Sequence, residues 1–146
     1  MNALRNKGRI GLFFLGGAKR VAIARMFKEA ASHYGLECDI TAYELCSHSA
    51  IASEGNIIEG LKWNDPAIIS DLDRIVNESG IDIMLPFVDP AVGVVADYVS
   101  ADNVARVFAP VSSREQSDRM FDKIAAADLF ENLGLPIPPT WRHDTP

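Results

Sequence analysis

Short apolar runs alternate with stretches of helical spacing along most of this chain. Ile10-Gly11-Leu12-Phe13-Phe14-Leu15 is continuously apolar, the pattern of a strand buried on both faces. It breaks at Gly16-Gly17. From Lys19 to about Tyr34, apolar residues recur at helical spacing through Ile23, Phe27, Ala30 or Ala31 and Tyr34, and Gly35 supplies a C-terminal stop. Leu36 to Tyr43 reads as a second strand. Asn56-Ile57-Ile58 fits either a short strand or a connection. Asp65-Pro66 combines an N-cap acid with proline at the first helical position. Ile68, Leu72, Ile75 and Val76 then form the buried stripe of a helix that Gly80 closes.

Ile81 to Pro86 is another buried strand. Asp89-Pro90 repeats the acid–proline start, with N-capping as the local task of Asp89, and a helix runs on through Val92, Val95 and Val99. Ala105 to Ala109 predicts a further strand ahead of Pro110. Ser112-x-x-Glu115 matches a capping box opening a short helix, and the final helix spans about Asp122 to Leu133. Strands alternating with helices predict an α/β, Rossmann-like three-layer fold, a mostly parallel sheet flanked by helices on both faces. No internal repeat or low-complexity tract interrupts it. Leu135 to Pro146 carries four prolines and is the linker-like stretch. The expected division is a folded domain over 1–134 and a linker, or the start of another domain, over 135–146.

Composition narrows the function classes. With 146 residues, 48% of them hydrophobic and 23% charged, the chain has the make-up of a soluble globular domain and needs no disulfides to build a core. A net charge of −6 disfavours nucleic acid as a partner, because phosphate backbones call for a basic face. The basic clusters Lys19-Arg20 and Arg25 to Lys28 read as solvated helix faces. Cys38 and Cys46 are too few and too far apart for a zinc site or a Cys-x-x-Cys redox pair, so reduced thiols are expected. No apolar run approaches ~18 residues, and Met1 to Lys7 lacks the apolar stretch of a signal peptide. No membrane contact is expected, and the expected location is the cytoplasm.

The candidate chemistry gathers at strand ends. The turn at Gly16-Gly17 follows a strand and opens a helix, where backbone amides suit an anion and ligands bind in doubly wound sheets. It matches neither G-x-G-x-x-G nor a P-loop, so a tight turn without a ligand stands beside that reading. Glu44, just past the second strand, occupies the place of a ribose-binding acid, with a solvated surface carboxylate as the alternative. Asp89 lies in a loop aimed at the same edge. His33, His48 and His143 are scattered, no G-x-S-x-G elbow occurs, and no metal-ligand cluster exists, so no catalytic residue and no metal ligand is assigned. Lys123 stands at a helix start, where the macrodipole disfavours a cation; that placement suits a phosphate contact.

Three stretches together resemble the N-terminal, pre-ATP-grasp domain of the ATP-grasp superfamily of carboxylate–amine ligases. These are the opening strand with Gly16-Gly17, the run Gly80-Ile81-Asp82-Ile83-Met84-Leu85-Pro86-Phe87-Val88-Asp89, and Asp122-Lys123 followed by Leu133-Gly134-Leu135-Pro136-Ile137-Pro138-Pro139-Thr140. Among subgroups the chain looks most like carbamoyl-phosphate synthase large-chain-like proteins. The resemblance implies an acyl-phosphate mechanism in which Lys123 contacts the ATP phosphates and Gly16, Gly17 and Asp89 face a small carboxylate substrate. Ala91 replaces an acid often found in the family. ATP and Mg are implied for the full-length enzyme, with their ligands in missing C-terminal ATP-grasp domains; no cofactor is expected for this chain alone, which would not be catalytic by itself. Homo-oligomerisation is left open. The alternatives are a free-standing Rossmann-like nucleotide or dinucleotide binder and a non-catalytic interaction domain.

Overall fold

Four parallel strands form one sheet in the order β3-β2-β1-β4. The structure, a computed structural model, describes residues 8–100 and 107–139. The strands are β1 (Arg9–Leu15), β2 (Glu37–Glu44), β3 (Asn56–Glu59) and β4 (Ile83–Pro86). The helices are α1 (Val21–His33), α2 (Ile68–Ser79), α3 (Asp89–Ser100), α4 (Arg114–Phe121) and α5 (Lys123–Asn132), with a 3-10 turn at Ala50–Ser53. The expected α/β fold, a parallel sheet flanked by helices, is present.

β1 is the central strand because its sequence can be buried on both sides. It pairs with β2 from Arg9↔Glu37 to Leu15↔Tyr43 and with β4 from Leu12↔Ile83 to Leu15↔Pro86. Leu12 and Phe14 pack on one face with Ala24 of α1, Ile40, Ala42 and Ile51. Phe13 and Leu15 pack on the other with Leu72 and Ile75 of α2 and Val94, Val95 and Tyr98 of α3. Burying each such side chain contributes about 1.5–3 kcal/mol. α1 therefore covers one face, and α2 and α3 the other. Beyond α3, Arg114 Nη1 reaches Asp97 at 2.6 Å and Arg114 Nε reaches Asp118 at 2.8 Å, tying α4 to α3.

Local chemistry moves several expected boundaries. The segment Asn56–Glu59 is a strand, paired to β2. Asp65 does not cap α2 directly. Its Oδ1 accepts from the Ala67 N–H at 2.9 Å, making a turn that precedes the helix at Ile68. Asp89 is the first residue of α3 rather than its N-cap, and the amides of Ala91 and Val92 donate to the Val88 carbonyl instead. The cap of α4 is Ser113, not Ser112: its side chain accepts from the Gln116 N–H at 3.3 Å. Of the strand expected over Ala105 to Ala109, residues 107–109 show one bridge, Phe108 to Ile83; Ala105 and Arg106 lie outside the described residues, as do His143 and most of the expected linker.

Tyr43 ties the sheet to the segment that follows β3. Its hydroxyl accepts from the Leu61 N–H at 2.7 Å and donates to Asp71 Oδ2 at 2.8 Å. Its ring meets Phe13 edge-on at 5.9 Å. Burial, chiefly, pushes the Tyr43 hydroxyl up to about 12, and burial with the Asp73 charge does the same for Tyr98. A folded pKa above the unfolded value means stability that is fully present below pH 10.0 and is lost as the pH rises toward about 12. Urea unfolding of the wild type is expected to show that loss, and the Tyr43→Phe, Tyr98→Phe double variant to flatten it. At neutral pH, Tyr43→Phe alone is expected to cost about 1–3 kcal/mol by leaving the Leu61 amide without its acceptor.

Candidate functional site

The strand order reverses between β1 and β4, and the loops leaving those two strands meet there. Such a switch point at the carboxyl ends of parallel strands opens a crevice in doubly wound sheets. Gly16 (φ +71°) ends β1 in the left-handed region, and a Cβ added to it would lie 2.6 Å from Val88 Cγ2 in the loop after β4. Its N–H donates to the Tyr43 carbonyl at 3.1 Å. Glycine is therefore required twice over, by backbone conformation and by contact. A cleft of about 370 Å³ opens beside this turn, and Gly16, Lys19, Arg20, Glu44, Trp63 and Val88 line it.

The residues singled out in the sequence separate here. Gly16 and Glu44 share the cleft. Gly17 lies beneath it, buried against Phe14, and shapes the turn without lining the cavity. Asp89 is exposed and follows the cleft-lining Val88, but its own side chain is not part of the lining. Lys123 is exposed at the first position of α5 and does not line this cleft. The amides beside it are taken: Asp122 Oδ1 accepts from Ile124 N–H at 2.9 Å and Ala125 N–H at 3.0 Å. A phosphate at that helix start would rest on the lysine side chain, since its own cap already uses the amides.

Glu44 is not a solvated surface carboxylate. Strand alternation puts it on the α1 face, two residues beyond buried Ala42, and it is only 8% exposed. The backbone N–H groups of Ala18 and Gly17 face the carboxylate. Oε1 takes neither: it is buried without a hydrogen-bond partner. Leaving such an acceptor unpaired costs about 1–3 kcal/mol. Burial pushes the carboxyl above the ordinary glutamate range, and the Ala18 and Gly17 amides draw it partly back.

The sequence reading gave Lys19-Arg20 to a solvated face, and both are exposed; that they also line the cleft was not anticipated. Arg25 and Lys28 do have a structural task, gripping Glu54 at 2.8 and 3.3 Å. Lys19 and Arg20 have no ion-pair partner among the described residues, although the Arg20 guanidinium stands 5.9 Å from the Phe87 ring centre. Their position directly after Gly16-Gly17 was the signal available. Trp63 was also missed; its ring meets Tyr43 at 5.7 Å, and no motif marks it. His33 and His48 are both exposed. Among the described residues no group of three His, Cys, Asp or Glu could hold a metal ion, and no helix is long and apolar enough to cross a membrane.

No known family profile matches the chain, and no curated protein matches it. Solved structures do. The chain is similar to the biotin carboxylase domain of a single-chain bacterial carboxylase, with TM-score 0.56 and 20% identity, over 89% of this chain and 30% of that one. It is similar to Rhizobium etli pyruvate carboxylase, with TM-score 0.56 and 18% identity, over 90% of this chain and 12% of that one. It is similar to N5-carboxyaminoimidazole ribonucleotide synthetase, solved as an ADP complex, with TM-score 0.55 and 16% identity, over 90% and 30%. At these identities the likeness is one of fold. The chain spans less than a third of the length of these neighbours.

Because the Glu44 pKa is raised on folding, its contribution to stability is fully present below 4.5 and is lost as the pH rises through the folded value. Urea unfolding at a series of pH values from 7 to 4.5 is expected to show the wild type gaining stability relative to Glu44→Gln as the pH falls. An equal pH response in the two proteins would contradict the buried, unpaired carboxylate.

Proposed function

We propose that this chain is the substrate-side, pre-ATP-grasp domain of an ATP-dependent carboxylate–amine ligase. The observation that carries the reading is a fold likeness running through about nine-tenths of the chain, to neighbours that are ATP-grasp ligases and of which it spans only a part. The cleft beside Gly16 supports it, because it lies where a doubly wound sheet takes its ligand. In this reading the turn at Gly16-Gly17, with Asp89 at its border, faces the carboxylate substrate. Lys123, one residue past the cap of α5, extends a fixed positive charge toward ATP phosphates held mostly by further domains. Those domains would also hold Mg. What this chain supplies is orientation: a rigid turn beside the substrate and one cation for the nucleotide.

A second reading, a free-standing dinucleotide binder, draws on Glu44 sharing the cleft with the glycine turn. The native coding sequence separates the two. The ligase reading expects it to continue past Pro146 for roughly 150 residues or more, the size of another domain, and to include an acidic metal-binding pair. A stop codon directly after Pro146 would sink it. Calorimetric titration of the 146-residue chain with NAD+ and with ATP is expected to give no saturable heat, whereas tight NAD+ binding would favour the second reading. In the longer protein, Lys123→Ala is expected to raise the KM for ATP about tenfold, the loss of one charge-assisted contact, and to leave folding unchanged.

A further inference from the structure

The cleft beside Gly16 is lined by groups of opposite charge. Glu44 is more than nine-tenths buried, and its Oε1 has no hydrogen-bond partner. Lys19 and Arg20 are exposed on the same lining. Their lack of a carboxylate partner sets them apart from most basic residues described in this acidic chain. Arg9, Arg25, Lys28, Arg74, Arg114 and Arg119 each pair with a carboxylate. Among the described residues only Lys19, Arg20, Lys62 and Lys123 do not, and two of these four neighbours-in-kind stand together at one cleft. Trp63 and Val88 supply apolar wall in the same cleft.

We propose that this cleft binds a small zwitterion, its ammonium group donating to Glu44 Oε1 and its anionic group meeting Lys19 and Arg20. The acceptor geometry favours an ammonium over a sugar diol. Two backbone amides already face the carboxylate, and one oxygen remains unpaired. A vicinal diol is held best by two carboxylate oxygens, whereas an ammonium needs one and also offsets the buried charge. Oε1 is closed to water, so a donor reaches it only when the side chains around it move. The proposal deepens the ligase reading by naming the class of ligand at its substrate cleft, and it rests on that reading only for the role of the ligand.

The test is NMR titration of the isotope-labelled 146-residue chain with 4-aminobutyrate, L-aspartate, ribose 5-phosphate and acetate. Either amino acid is expected to shift the amides of Gly16, Gly17 and Ala18 saturably. Glu44→Gln and Arg20→Ala are each expected to weaken that binding about tenfold or more. Arg20 is on the surface, so its variant tests the site even if Glu44→Gln folds poorly. Four results would overturn the proposal: no response to either amino acid, binding of ribose 5-phosphate in their place, acetate binding as tightly as they do, or unchanged affinity in Arg20→Ala. The downstream coding sequence reports on the ligase reading and the titration on the cleft, so either can fail without the other.

Discussion

The pairing of β1 on both edges is the constraint on which the rest of the molecule depends. A strand hydrogen-bonded to β2 on one side and β4 on the other, with Leu12, Phe13, Phe14 and Leu15 all buried, has no freedom in register. Its carboxyl end is therefore fixed relative to both neighbours. Gly16 is held against Val88 from one side and donates to the Tyr43 carbonyl on the other. The cleft is a consequence of that closure. It opens where a helix begins, where two loops part and where β2 ends in Glu44.

Placed on this frame, Glu44 shows a local conflict of the kind that marks functional sites. A sheet position two beyond Ala42 belongs to the core, and a glutamate there is desolvated by the packing that stabilises everything around it. The amides of Gly17 and Ala18 relieve part of the conflict and tie the carboxylate to the turn before α1. The unpaired Oε1 is what they leave over. Fold likeness to carboxylases and a synthetase is compatible with many chemistries, so the chemical content rests on this carboxylate and the two cations that line the same cleft.

Much of the architecture was legible because apolar periodicity reports burial directly. The continuous run at β1, the Ile68–Leu72–Ile75–Val76 stripe of α2 and the start of α5 at Asp122-Lys123 all appear where the pattern puts them. Boundaries were less legible where competing local bonds exist. Asp65 spends its carboxylate on a turn, and Ser113 rather than its neighbour Ser112 caps α4. The site was half visible. Gly16 announces itself by a strand–glycine–helix pattern. Glu44 was noticed for its place but misjudged as a surface group in one of its two readings, because nothing in a linear sequence tells which strand ends are covered. Lys19 and Arg20 look like any helical basic pair until Arg25 and Lys28 prove to be matched with Glu54 while they are not.

Glu44 can be observed by itself. A carbon-13 NMR titration of its side-chain carboxyl, assigned by comparison with Glu44→Gln, reads the environment of the one group on which the cleft turns. A carboxyl buried at the end of β2 with an unpaired oxygen titrates above the ordinary glutamate value of 4.5. A titration at or below 4.5 would contradict the account, since it would mean that the carboxylate is solvated or already fully partnered.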